Sequence, residues 1–246
     1  MSAAFPSGAT NNIKNVAPFV VNVPLTVGFW AYPTATGTLR TLFCLGDTGA
    51  DTYLSINQTS GNLWQITATA AGSANNATTG AVTANSWFFI VGRFISATNR
   101  RLAVLAPDGS ASAVQATTSR TMSSIDTMTL GQRLSSTSNQ PFAGRLANFW
   151  YTNNDVQPDG AALTDSLLRQ LAYGGPFSVP SIANTIIEHR SLRTNPINGE
   201  SSDISVGGGA PAQNWANTSG VTIGAHPPLP YWYANLQQTK RATVPI

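Results

Sequence analysis

Groups able to move protons or attack bonds are sparse in this chain. It holds two glutamates, Glu188 and Glu200, two histidines, His189 and His226, and one cysteine, Cys44. Hydrolysis of a glycosidic bond needs two carboxylates on one surface, flanking the bond. Neither glutamate lies in an alternating Glu-x-Asp-x-Glu run that would place such a pair on one side of a strand. The aspartates Asp47, Asp51, Asp108, Asp126, Asp155, Asp159, Asp165 and Asp203 fall mostly in predicted turns, where Asp is favoured for backbone reasons. His189 follows Glu188, but neighbours on a strand point to opposite faces, and His226 precedes two prolines. No catalytic residue and no cofactor is assigned, and the chain is read as non-enzymatic.

Cys44, the sole cysteine, excludes an intrachain disulfide and a multi-cysteine zinc site. It sits in the apolar run Thr41-Leu42-Phe43-Cys44-Leu45, where a free cysteine acts as a small buried hydrophobe. Binding chemistry leaves more candidates. Sugar recognition would use an exposed Trp or Tyr beside Asn or Asp, and Trp64, Trp150 and Trp215 are the candidate glycan-binding residues, set against the usual core role of such rings. Near the C-terminus the triplet Tyr231, Trp232 and Tyr233, with the pair Lys240 and Arg241, is the candidate partner-binding segment, because aromatic and arginine side chains concentrate interface energy. The sequons at Asn57, Asn76 and Asn217 are expected by chance in so Asn- and Thr-rich a chain and are discounted in the absence of a secretory leader.

The elements that must carry these residues are set by composition. At 246 residues and 42% hydrophobic the chain can bury a sizeable core in one domain. Only 9% of residues are charged, far below the usual quarter, so the surface is polar but nearly uncharged. The net charge of +3 is spread without a run longer than Arg100-Arg101 or Lys240-Arg241, which argues against nucleic acid. No stretch approaches the ~20 apolar residues of a membrane helix. Short strands broken by Gly, Asn, Ser and Pro recur throughout, about ten to twelve of them, and fit two stacked sheets.

In order, residues 1–24 read as an arm or edge strand because of Pro6, Pro18 and Pro24. The run 25–32 reads as a strand with Leu25, Val27 and Phe29 on one face and Trp30 and Tyr32 on the other, so both faces need cover. Strands follow at 39–45, 52–57 and 61–69, then a low-complexity loop or outer strand at 70–84, the apolar strand 85–94 opened by Trp87, a hairpin around Pro107-Asp108-Gly109, and strands at 114–118, 125–131 and 142–151. One helix is expected near Leu163–Ala172, capped by Thr164 or Asp165 and stopped by Gly174 and Pro176.

Several of these segments resemble the laminin-G-like branch of the concanavalin A-like jelly rolls. Trp30 and Pro33 sit where that branch has its W-x-x-P strand, Leu42 to Asp47 is similar to its L-F-S-L-G-D run, Trp87 opens a similar central strand, and Phe142, Gly144 and Leu146 match its closing F-x-G-x-L hairpin. The resemblance covers about Leu25 to Pro176. It implies an all-β two-sheet antiparallel jelly-roll sandwich with one short helix, and it raises a calcium option at Asp47 and Asp51 that competes with a plain turn; no metal is assigned. The expected organisation is the arm 1–24, the sandwich 25–176, completing strands and loops at 177–223, and an extended arm at 224–246. The C-terminal stretch, with its Gly-rich loop and His226-Pro227-Pro228, resembles structural proteins of tailed bacteriophages. That likeness implies a virion protein, a capsid decoration or fibre component made in a host cytoplasm and bound to copies of itself and to a major capsid or tail protein. The alternative is a carbohydrate-binding module.

Overall fold

The computed structural model describes residues 2–6, 12–15, 18, 23–134, 140–157, 160–180, 185–190, 215–217 and 221–224. They form two antiparallel sheets stacked face to face. The first (sheet A) contains β1 (Ser2–Phe5), β3 (Leu25–Pro33), β8 (Phe88–Ser96), β9 (Asn99–Leu105), β10 (Ala111–Ala116), β12 (Gly144–Thr152), β13 (Ile186–Arg190) and β15 (Thr222–Gly224). Its order is β10-β9-β8-β3-β12-β1-β15, with β13 beside the far half of β12. The second (sheet B) contains β2 (Ile13–Asn15), β4 (Arg40–Gly46), β5 (Tyr53–Gln58), β6 (Leu63–Ala70), β7 (Ser73–Ala81), β11 (Thr127–Leu130) and β14 (Trp215–Asn217), in the order β14-β2-β11-β4-β5-β6-β7.

The core follows from strand alternation. Leu25, Val27 and Phe29 of β3 point between the sheets and meet Phe43 and Ile56 of sheet B in one buried cluster, as the period of two requires. The other face of β3 is also apolar. There Trp30 joins Phe89, Val91 and Trp150 in a second buried cluster beneath the helix α1 (Asp165–Gly174). That helix begins where expected: Thr164 accepts a hydrogen bond from the Leu167 amide, filling one of the open donors of the first turn. Trp30 donates its indole N–H to the Ala172 carbonyl at 3.3 Å, which fixes the helix over the sheet.

A bulge in β12 sets which rings reach which cluster. The ladder to β3 shifts between Ala147 and Trp150, and Asn148 there has φ of 50°, a left-handed conformation that Asn tolerates better than most residues. One extra residue inverts the alternation. Leu146, Phe149 and Tyr151 therefore all enter the inter-sheet core, while Trp150 turns outward under α1.

Where it is described, the segment 1–24, expected as an arm or edge strand, contributes two strands paired on both sides: β1 pairs with both β12 and β15, and β2 lies between β11 and β14. Such short strands survive interior positions because Ala3, Phe5 and Ile13 are fully or almost fully buried. Strand β14 lies within 177–223, the stretch expected to hold completing strands and loops. The low-complexity run 70–84 supplies β7, the exposed outermost strand of sheet B. Residues 225–246, expected as an extended arm, lie outside the described residues. No described helix is long and apolar enough to cross a membrane.

Candidate functional site

The outer face of sheet A has an open end beside its helix-covered half. Tyr32 and Arg145 are ladder partners on β3 and β12, and Arg145 is in turn paired with Ala4 of β1, itself paired with Thr222 of β15. One step beyond the Ala31–Phe88 pair, Trp87 completes the row on the β8 side. The Tyr32 and Trp87 rings lie 5.2 Å apart at 51°, and the Arg145 guanidinium carbon stands 5.0 Å over the Tyr32 ring. All three side chains are half-buried and Thr222 is exposed. The row presents aromatic surface beside a delocalised cation with five donors.

Two backbone details hold the row together. Asn85, at φ of 60°, donates its amide to the Pro33 carbonyl at 2.7 Å, and this turns residues 82–87 back onto the end of β3. Gly144 lies so close to β3 that a Cβ would stand 2.2 Å from the Tyr32 carbonyl oxygen and 2.6 Å from Phe142 Cζ. The missing side chain lets β12 enter the sheet tightly and carries Arg145 over Tyr32.

Two of the three tryptophans named from sequence, Trp64 and Trp150, are enclosed. Trp64 is fully buried between the sheets, edge-on to Phe88 at 5.2 Å. Trp150 is 1% exposed beneath α1. Trp64 points inward from β6 into the inter-sheet core, and Trp150 points outward from β12 into the cluster beneath α1. Their indole nitrogens are buried without a hydrogen-bond partner. Trp215 lies on β14, at the edge of sheet B. Tyr231, Trp232, Tyr233, Lys240, Arg241, Glu200 and His226 lie outside the described residues. Local spacing marks Trp87 only as the opening of a strand and does not reveal the row it forms with Tyr32 and Arg145. Register supplies the missing signal, since Tyr32 sits opposite Arg145 once the closing hairpin is aligned with β3.

Several of the described titratable side chains make contacts within the fold. Glu188 and His189 stand opposite Tyr151 and Trp150 in the ladder between β13 and β12. Asp155 makes a two-pronged ion pair with Arg93 at 2.6 and 2.7 Å. Arg93 is 1% exposed, and its guanidinium also donates to the Ala161 and Gln157 carbonyls. Asp47 accepts from the Gly49 amide at 2.7 Å in its own turn, and Asp51 has one buried carboxylate oxygen without a partner. Among the described residues no three His, Cys, Asp or Glu side chains could hold a metal ion together. Burial pushes the Cys44 thiol up to about 12, so it stays protonated and inert. Arg100, buried and bonded to Asn75 and two carbonyls, is lowered by that burial and by nearby Arg120.

The outward face of sheet B is polar and internally bonded. Asn57 donates to Ser55 and Thr67 at 3.0 Å each and accepts from Thr41, also at 3.0 Å. These four side chains are nearly or fully buried, so their hydrogen-bonding capacity is spent inside the protein.

No family model and no curated protein matches the sequence. Among solved structures, the carbohydrate-binding module CBM40 of the Ruminococcus gnavus IT-sialidase, bound to alpha2,3 sialyllactose, superposes with a TM-score of 0.53 at 12% identity, covering 69% of this chain and 95% of that one. A heptameric SAP-like pentraxin from Limulus polyphemus gives 0.50 at 15% identity over 70% of this chain and 81% of its own. The NanB sialidase of Streptococcus pneumoniae gives 0.51 at 13% identity, covering 64% of this chain and 27% of that one. The fold is a concanavalin A-like jelly roll. Identities this low speak to fold and no further.

Proposed function

We propose that this chain is a non-catalytic carbohydrate-binding β-sandwich whose contact surface includes Trp87, Tyr32 and Arg145. The observation that carries this reading is the half-open row itself. A ring face stacks on the apolar side of a pyranose, and a guanidinium held over the next ring donates to hydroxyl or carboxylate oxygens. The solved modules that share the architecture include one bound to alpha2,3 sialyllactose, which supports sugar as the ligand class. Binding of the purified chain to a glycan array, with signal lost in Trp87→Ala and Arg145→Ala, tests it. An array with no hits, or hits indifferent to both substitutions, would remove it.

A second reading, a virion decoration or fibre component, draws on the 9% charged composition and on the sequence likeness of the C-terminal stretch with its Gly-rich loop and His226-Pro227-Pro228. It places the chain on a particle surface, bound to a capsid or tail protein and to its own copies. Truncation after residue 224 followed by a pull-down of particle proteins tests this role separately, because Trp87, Tyr32 and Arg145 all lie before that point and β15 is kept.

A further inference from the structure

Most arginines of the described residues are engaged by the fold itself. Arg93 is locked to Asp155, Arg100 holds the Asn75 side chain and two carbonyls, and Arg40, Arg120 and Arg169 each donate to backbone carbonyls. Arg145 differs. Its guanidinium lies 5.0 Å over the Tyr32 ring, yet it donates to no atom of the described residues and pairs with no described carboxylate. Neither the acid in register with its own strand nor the acid at its own end of the sheet can neutralise it. Glu188 stands opposite Tyr151, roughly 20 Å along β12 from Arg145. Asp108 sits in the turn between β9 and β10, three strands or about 14 Å across sheet A. Its Oδ1 already accepts from the Ser110 amide at 2.8 Å and the Ser110 hydroxyl at 2.7 Å.

A guanidinium stacked on a ring keeps its edge free, and that edge is a planar fork of donors matched to two oxygens of one carboxylate or sulfate. A bond from a charged donor to a charged acceptor is about twice as strong as one between neutral groups. Half-burial beside Tyr32 and Trp87 also weakens screening of the charge. The Trp87 ring, 5.2 Å from that of Tyr32, is left for the apolar side of a pyranose. We infer that the sugar taken by this row is an acidic one, whose carboxylate or sulfate Arg145 grips with two parallel bonds while Trp87 carries the ring. The inference rests on reading the row as a sugar surface and narrows its ligand from carbohydrate in general to anionic carbohydrate.

Titration calorimetry of the full chain with matched probes tests this. Lactose, sulfated lactose and sialyllactose share one backbone and separate sulfate from carboxylate as the source of charge; trigalacturonate beside its carboxyl-reduced form adds a second carboxylate pair. At least one acidic member should bind about tenfold or more tighter than its neutral counterpart, and the advantage should shrink as sodium chloride rises from about 50 to about 500 mM. Arg145→Gln, planar but uncharged, should bring the ratio close to one. Arg145→Lys, charged but without the fork, should keep only part of it. Thermal unfolding of both variants checks that the fold is retained. Equal affinity for acidic and neutral members, an advantage unmoved by salt, or one kept by folded Arg145→Gln overturns the inference and leaves the sugar reading standing. Where these probes do not bind, the glycan array decides: neutral hits overturn the inference alone, acidic hits support it, and an empty array overturns it together with the sugar reading.

Discussion

The outer face of sheet A carries aromatic rings in both halves, and the two halves have opposite fates. Beneath α1, Trp30, Phe89 and Trp150 are 6%, 1% and 1% exposed. At the open end, Trp87 and Tyr32 stay half-buried with Arg145 over them. The residue types are nearly the same, and the difference is the ten-residue helix that lies on one half and ends before the other. An aromatic residue therefore indicates a contact surface only once its cover is known.

If this contrast is right, substitutions in the covered half act on stability. Trp150→Ala leaves a large void between β12 and α1 and should cost about 3–5 kcal/mol in denaturant unfolding. Breaking the buried ion pair with Arg93→Met strands Asp155 near the same helix. The cost should be about 2–3 kcal/mol, below that of a fully enclosed pair because Asp155 is 14% exposed. Adding Asp155→Leu should recover most of that loss. Gly28→Ala probes the same region by overfilling it, since its Cβ would stand 2.3 Å from the Trp150 ring. A loss of about 1–3 kcal/mol is expected, visible as a lower unfolding midpoint.

The smallest effect concerns Cys44. The unfolded thiol titrates near 9.0 and the folded one near 12, so the folded chain holds its proton longer. Stability should be unaffected below pH 9 and should decline as pH rises through that interval. The thiol should resist alkylation at mildly alkaline pH until the chain is unfolded, which mass spectrometry of the labelled protein reads directly.

Much of the fold was legible because its signals are local. The alternation of Leu25, Val27 and Phe29 against Trp30 specified two covered faces, and Thr164 with Gly174 framed the helix. Strands β1 and β2 were hidden by their brevity and by the prolines around them, which suggest an edge even where pairing partners arrive from distant sequence. The site was less legible still. Trp64, Trp150 and Trp87 all open or punctuate apolar strands, and nothing within a few residues of each tells a covered ring from an open one. That distinction depends on the bulge at Asn148, on the path of α1, and on the register that brings Arg145 to Tyr32, none of which is written in local spacing.

Indole resonances give the most direct test of the contrast. In a spectrum of the nitrogen-labelled chain, addition of an array-selected glycan should shift and broaden the Trp87 side-chain N–H while those of Trp30, Trp64 and Trp150 stay in place, and Trp87→Ala should lower unfolding stability by less than about 1 kcal/mol. Unmoved Trp87 with the glycan bound elsewhere, or equal movement of all four indoles, would contradict the account.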